Sequence, residues 1–432
     1  MPTLTRRGLL TAPFFIRHLI SAPPSGRVRL ASMGASGMAW ATLNDIAKHP
    51  SVDLVSVADV DTARADRVKT GYPNARHYQD WRRLLDREHK HLDMVCVGTP
   101  DHMHAPQSMA AMRRGLHVYC QKPLTSHVRD ARIVAAYAKS KRLVTQMGIQ
   151  VHSFAEYRTA VAMVQSGVIG KIKEVHAWSS KKWGDLDPRP SRTDPVPATL
   201  NWDGWIGVGQ PAPYLKDYFH PGNWRKRLDF GTGTFGDMGC HIYDPVFGAL
   251  ALTAPLTVRA EGPAPVAGNW AINAIVKYVF PATAYTEGNT VAVTWYDGDE
   301  RPPREIQSLI EGKALPGQGS IFVGAKGTML LPHFAAASLY PQASFSGYQP
   351  PVLTANNHYF EFVEAVKGNG ATSTAFDYSG PLSEAVLLGS LATRFPRTTL
   401  EWDAAGLRFK GNPAASGFLR RKYRSGWKVK GL

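Results

Sequence analysis

The sequence predicts an α/β protein: an N-terminal doubly wound parallel sheet, then a C-terminal α+β domain built on a largely antiparallel sheet. Three observations predict it. Short apolar runs alternate with helical stretches up to residue 150. The first of these runs ends in a glycine-rich turn that opens a helix. Beyond Gly148 the alternation gives way to a helix, two long loops rich in Pro, Gly and Trp, and several β-rich segments.

The elements follow in order. Arg27–Met33 reads as a strand, Gly34-Ala35-Ser36-Gly37-Met38-Ala39 as a turn, and the stretch with Trp40, Leu43 and Ile46 as a helix. Such a junction sets backbone N–H groups and a helix N-terminus where a pyrophosphate can sit, with Gly34, Ser36, Gly37 and Met38 as its cradle. Ser36 stands where G-x-G-x-x-G has its second glycine. A second strand, Val52–Ala58, ends at Asp59, 25 residues beyond Gly34. A carboxylate there accepts from a ribose hydroxyl and repels a 2′-phosphate, which favours NAD over NADP; a helix N-cap is the other reading. A third strand, Leu92–Gly98, leads to Thr99-Pro100-Asp101-His102-Met103-His104. Its two histidines suit the nicotinamide end of a crevice, or else simple turn chemistry. His117–Cys120 and Leu143–Met147 complete the strands. Leu116–Ser126 carries Lys122 to a strand tip beside Pro123, where a parallel sheet binds ligands.

In the second half, Ala155–Gln165 reads as a helix and Glu174–Ser179 as a strand. The loops Trp183–Pro197 and Asn201–Asp229 follow, then β-rich Ala271–Phe280, Thr290–Tyr296 and Gly319–Leu331. Gly231–Gly236 precedes Asp237 and His241, which share a face if helical. A neutral imidazole can take a hydroxyl proton as hydride leaves the same carbon. A cap with a core histidine, or two metal ligands, fits that spacing as well.

The totals bound the function. A chain of 432 residues, 44% apolar and 19% charged, is globular, and we divide it into domains at 27–150 and 151–432. Cys96, Cys120 and Cys240 imply neither a disulfide framework nor a zinc site. No apolar run is long enough for a spanning helix. The net charge of +16 has no nucleic-acid-binding motif to use it, so its basic tail, with Arg420, Arg421, Lys422, Arg424, Lys428 and Lys430, reads as solubility or weak surface attraction. Thr5-Arg6-Arg7-Gly8-Leu9-Leu10 resembles a twin-arginine export signal within residues 1–26, although Arg17 and His18 interrupt the apolar stretch after it. Periplasmic or other export is the expectation, and cytoplasmic residence the alternative.

Together these motifs resemble the Gfo/Idh/MocA oxidoreductase family, with inositol dehydrogenases and glucose-fructose oxidoreductases among its members. The resemblance rests on the Gly34 turn, Asp59, Thr99-Pro100-Asp101-His102, Gln121-Lys122-Pro123, and Asp237 with His241. Asn223-Trp224-Arg225, His358–Gly368 and Asp377–Gly389 look like its exported, sugar-directed members. It implies a Rossmann domain binding NAD, Lys122 supporting catalysis, His241 as acid/base, and Asp237 as a substrate or orienting residue. Thr99, Pro100, His102, His104 and Gln121 would then join Lys122 around the cofactor. His152, Trp178, Trp183, Trp224 and Arg225 are candidate substrate contacts, the tryptophans as stacking surfaces or as packing. Gln121 departs from the family's usual glutamate beside the lysine.

The implied function is hydride transfer between NAD and a hydroxyl carbon of a sugar, glycoside or polyol. A redox-neutral, NAD-dependent glycoside cleavage and a non-catalytic saccharide-binding protein are the alternatives. A small carbohydrate is the expected partner, and an exposed sheet face would suit a homo-oligomer.

Overall fold

A computed structural model describes residues 26–432. The Thr5–Leu10 motif lies outside the described residues. Six strands form the first sheet: β1 (Val28–Met33), β2 (Val52–Ala58), β3 (Arg76–Tyr78), β4 (Met94–Val97), β5 (His117–Cys120) and β6 (Thr145–Met147). All pair in parallel, in the order β3-β2-β1-β4-β5-β6. The helices between them are α1 (Met38–Ala47), α2 (Asp66–Gly71), α3 (Trp81–Glu88), α4 (His104–Met112) and α5 (Val128–Ser140). Strand order reverses between β1 and β4, which opens a crevice beyond their carboxyl ends. Apart from Ser32, the buried runs of β1 and β4 are apolar because both faces are covered.

Gly34 makes the first turn possible. Its φ is +103°, and a Cβ there would lie 2.7 Å from the Ala39 methyl. Only a residue without a side chain lets α1 approach the sheet so closely.

The second layer begins with α6 (Ala155–Gln165), β7 (Ile172–Ser179), α7 (Trp202–Ile206) and α8 (Gly233–Leu250). Then come β8 (Thr257–Glu261), β9 (Ile275–Pro281), β10 (Thr290–Asp297), α9 (Arg304–Ser308), β11 (Gln318–Gly324), β12 (Thr328–Pro332) and β13 (Ser338–Tyr340). The chain closes through α10 (His358–Val366), α11 (Phe376–Ala392), β14 (Thr399–Asp403) and β15 (Arg408–Phe409). The nine-stranded sheet runs β13-β12-β11-β7-β10-β9-β8-β14-β15, antiparallel except for β7 with β10. The β-rich stretch Gly319–Leu331 is therefore a hairpin of β11 and β12 rather than one strand.

The two parts are not divided cleanly at residue 150. Phe362, Val363 and Val366 of α10 return to the first sheet and pack on Val28, Leu30 and Ile46. Helices α5 and α11 pack together, pinned by Arg132, which donates to both oxygens of buried Glu384 at 2.5 and 2.7 Å.

The basic tail departs from the reading of a solvated segment. Arg421 donates to the Asp229 carbonyl, Arg424 Nε to the Gly207 carbonyl at 3.0 Å, and Tyr423 Oη to Asp130 at 2.9 Å. Trp427 is buried, with the Arg82 guanidinium 4.0 Å from its ring centre. Two of the tail's arginines thus serve as donors to the body, while Arg420, Lys422, Lys428 and Lys430 face solvent. No helix of the described residues is long and apolar enough to cross a membrane.

Trp427→Ala is expected to lower unfolding stability by about 3 kcal/mol, the usual loss for deleting a buried indole. A denaturant titration reads it; a change below about 0.5 kcal/mol would place the tail outside the cooperative fold.

Candidate active site

A cleft of about 610 Å³ follows the carboxyl edge of the first sheet and is walled by the loops around Trp183 and Trp224 and by α8. Gly34, Ser36, Gly37 and Met38 line one end, where α1 begins. Gly37 has φ +56°, and a Cβ there would meet nothing within 4 Å, so the turn leaves open room beside the helix N-terminus. That room and the first N–H groups of α1 suit a dinucleotide pyrophosphate.

Asp59 lines the same end. Its Oδ2 accepts the Ala35 N–H at 2.9 Å and its Oδ1 the Asp61 N–H at 3.0 Å. It therefore braces the glycine turn rather than capping a helix; Asp61 caps the short 3-10 turn that follows. Burial pushes the Asp59 carboxyl up, against these backbone donors. Each oxygen keeps a lone pair for a ribose hydroxyl. Arg64, which the sequence reading missed, also lines this end and donates from Nε to the Ser36 hydroxyl at 3.1 Å.

The floor is set by His104. Its Nδ1 faces the Pro123 carbonyl at 2.7 Å and its Nε2 the Thr99 carbonyl at 2.8 Å. Carbonyls only accept, so both nitrogens carry protons. Burial opposes that charge, but Cys120, Asp101 and the Pro123 carbonyl outweigh it and raise the pKa to about 9. His104 thereby ties the end of β4 to the turn that carries Lys122. Thr99 and Pro100 line the cleft beside it, and the Thr99 hydroxyl donates to Gln107 at 2.6 Å. Gln121 lines the cleft, is buried, and donates to Thr42 Oγ1 at 2.8 Å.

Lys122, Asp237 and His241, far apart in sequence, meet at the other end. Lys122 Nζ donates to Asp237 Oδ1 at 2.7 Å and to the Asp237 carbonyl at 2.6 Å. Arg225 Nε reaches the same Oδ1 at 3.2 Å. Burial raises the cost of the Asp237 charge, yet these two cations hold its carboxyl well below the ordinary range. Among the described residues no group of three His, Cys, Asp or Glu side chains is placed to hold a metal ion. His241 is 8% exposed and its Nδ1 has no partner among the described residues. Burial, then Lys122 and His333, depress its pKa well below 6.5, so the ring is neutral near pH 7.

Trp183 and Trp224 line this end with Arg225, whose guanidinium carbon lies 5.4 and 4.2 Å from their ring centres. Trp183 Nε1 is buried and has no partner among the described residues.

Three expected site residues lie elsewhere. His102 is buried behind the cleft wall, its Nε2 on the Trp205 carbonyl at 3.1 Å and its ring 5.0 Å from that of Phe230. Burial pulls its pKa down to about 3, as for a neutral core histidine. His152 donates from Nδ1 to Asp244 at 2.9 Å, where Tyr378 Oη also donates at 2.7 Å. It serves a buried carboxylate rather than the cleft. Trp178 belongs to β7 in the second sheet and is fully buried, with Nε1 on the Pro316 carbonyl at 2.7 Å.

Comparison with known proteins gives this geometry its context. The description "Oxidoreductase family, NAD-binding Rossmann fold" matches residues 28–149, and "Oxidoreductase family, C-terminal alpha/beta domain" matches 162–429. A dTDP-3,4-didehydro-2,6-dideoxy-alpha-D-glucose 3-reductase of Streptomyces antibioticus is 32% identical over 171 residues, 39% of this chain and 51% of the relative. Inositol 2-dehydrogenase 4 of Saccharopolyspora erythraea is 30% identical over 151 residues, 35% of this chain and 44% of the relative. The chain thus spans about half the length of the curated relatives it matches. Among solved structures, the WlbA dehydrogenase of Bordetella pertussis, in complex with NADH and UDP-GlcNAcA, superposes with a TM-score of 0.61 at 14% identity, covering 87% of this chain and 99% of that one. The likeness is one of fold. This chain belongs to the Gfo/Idh/MocA oxidoreductase family, with an NAD-binding Rossmann domain ahead of that family's C-terminal α/β domain.

Proposed function

We propose that the protein is an NAD-dependent oxidoreductase acting on a hydroxyl carbon of a sugar, glycoside or polyol. The observation that carries this reading is the meeting of Lys122 and His241 around Asp237 in the cleft that begins at the glycine turn. When bound, NAD supplies the hydride acceptor or donor.

The chain's own residues handle position and proton. Two of the three N–H bonds of Lys122 are spent on Asp237, which leaves one for a substrate oxygen. That donor steadies negative charge as a hydroxyl loses its proton. His241, neutral at pH 7, takes the proton in oxidation and returns it in reduction. Trp183, half-buried in the cleft wall, offers an apolar face to a sugar ring, and Trp224 backs Arg225.

A second reading is favoured by one relative, a glycosyl hydrolase family 109 protein of Stenotrophomonas maltophilia, 28% identical over 162 residues. In a redox-neutral cleavage the same residues would act, and aglycone would be released with no net reduction of NAD. We also propose export, on the Thr5–Leu10 motif alone. A fusion to a reporter active only after twin-arginine transport should give signal that is lost in Arg6→Lys with Arg7→Lys; equal signal would remove the proposal.

A sugar and polyol panel with NAD should generate the near-ultraviolet absorbance of reduced nicotinamide. His241→Ala should lower kcat by about 10²- to 10⁴-fold, the usual worth of an acid/base, with NAD affinity unchanged by titration. Unaltered turnover would assign the proton to another group. In oxidation the unprotonated ring is the active form, so kcat/KM should rise with pH to a plateau. Because the His241 pKa is depressed, that rise should lie below pH 6.5. A limb centred above neutrality would rule out a buried, cation-flanked base.

A further inference from the structure

The substrate end of the cleft carries more positive charge than its chemistry uses. Arg225 lies over Trp224, its Nε engaged by Asp237 and one Nη by the Gly222 carbonyl at 3.4 Å. The other Nη has no partner among the described residues. Lys181, at the end of β7, lines the same cleft. Its main chain is fixed: the N–H donates to Ser179 Oγ at 3.3 Å, and the carbonyl accepts the Gly298 N–H at 3.2 Å. Its ammonium has no partner among the described residues, whereas neighbouring Lys182 pairs with Asp299 at 2.7 Å.

The local balance follows. Lys122, Arg225 and Lys181 face this end, and Asp237 is the carboxylate bonded among them. Asp101 also borders it, but it is buried, accepts from Thr232 at 2.6 Å and offsets the His104 cation. A neutral sugar would leave two positive charges uncompensated, whereas an anionic one would be drawn in and oriented.

We propose that the substrate is an acidic saccharide, a uronate, whose carboxylate is received by Arg225 and Lys181 while its ring rests against Trp183. The unpartnered Arg225 Nη and the Lys181 ammonium can each donate to one oxygen of a carboxylate. Lys181 is then a specificity-determining residue with no part in proton transfer. The inference rests on the oxidoreductase reading and narrows its substrate.

The test is binding of methyl glycosides to the full chain with NAD present, read by calorimetry and by nicotinamide absorbance. Methyl glucuronide and galacturonide should bind about tenfold or more tightly than methyl glucoside and galactoside, with 0.5 M salt eroding that advantage. Lys181→Gln should weaken the uronides by about fivefold, as for a half-exposed ion pair, without moving the neutral sugars or NAD. Equal affinity for both kinds, or a Lys181→Gln effect shared by both, overturns the uronate assignment and leaves the oxidoreductase reading intact. Tighter binding of the matching sugar phosphates overturns the carboxylate. Absence of binding and turnover with every saccharide removes both readings.

Discussion

The contact between Lys122 and Asp237 is the constraint on which the rest of the site depends. One partner lies just beyond β5 of the first sheet, and the other one turn inside α8 of the second layer. Both side chains are largely buried, so separating them would strand two charges in a poorly solvated cleft. Such a pair contributes little net stability, because desolvation offsets the attraction. Its effect is geometric: it fixes the second layer against the first with His241 one helical turn beyond the contact. The turn that presents Lys122 is itself anchored, since the His104 cation bonds the Pro123 and Thr99 carbonyls from below.

Helix α8 can serve this role because its two faces do different work. Asp237, His241 and Asp244 recur at spacings of four and three and so share one face. Phe235, by contrast, stacks on Trp295 of the second sheet with ring centres 4.6 Å apart. Gly239 permits the packing: a Cβ there would lie 2.6 Å from the Phe235 ring and 3.1 Å from Val386 of α11. The polar face then needs partners along its length. Lys122 and Arg225 supply them at one end, and His152 and Tyr378 at the other. His241 lies between these charged ends, and burial, with no bonded counterion among the described residues, leaves it a neutral base.

Much of this was legible in the sequence, for reasons that differ by residue. The parallel sheet was readable because buried strands are apolar throughout and alternate with helices at short intervals. The cleft end at Gly34 and Asp59 was readable because its geometry demands particular residue types at a particular spacing. The convergence of Lys122 with Asp237 and His241 came from the family resemblance, as no local pattern spans more than a hundred residues. His102 and His152 could not be oriented by the same means. Each sits in a short 3-10 segment, where one residue of rotation decides between cleft and core. What decided them was a distant acceptor, the Trp205 carbonyl for one and Asp244 for the other. The tail misled for a similar reason: its arginines look solvated until Asp229 and the Gly207 carbonyl are brought to them.

Gln121 shows how the charge arrangement holds together. A glutamate beside Lys122 would supply a local counter-charge, and its replacement raises the question of what balances the lysine. The amide is turned toward α1, where it donates to Thr42, and is packed so tightly on Gly148 that a Cβ there would lie 2.8 Å from Nε2. It makes no bond to Lys122. The counter-charge comes instead from Asp237, across the domain boundary. Because that charge sits in the second layer, the environment of Lys122 depends on the two parts being docked. A carboxylate at position 121 would remove that dependence, and it would set a buried charge against a hydroxyl that can donate only one proton. With a neutral amide at position 121, the lysine is balanced by Asp237 only when the second layer is in place.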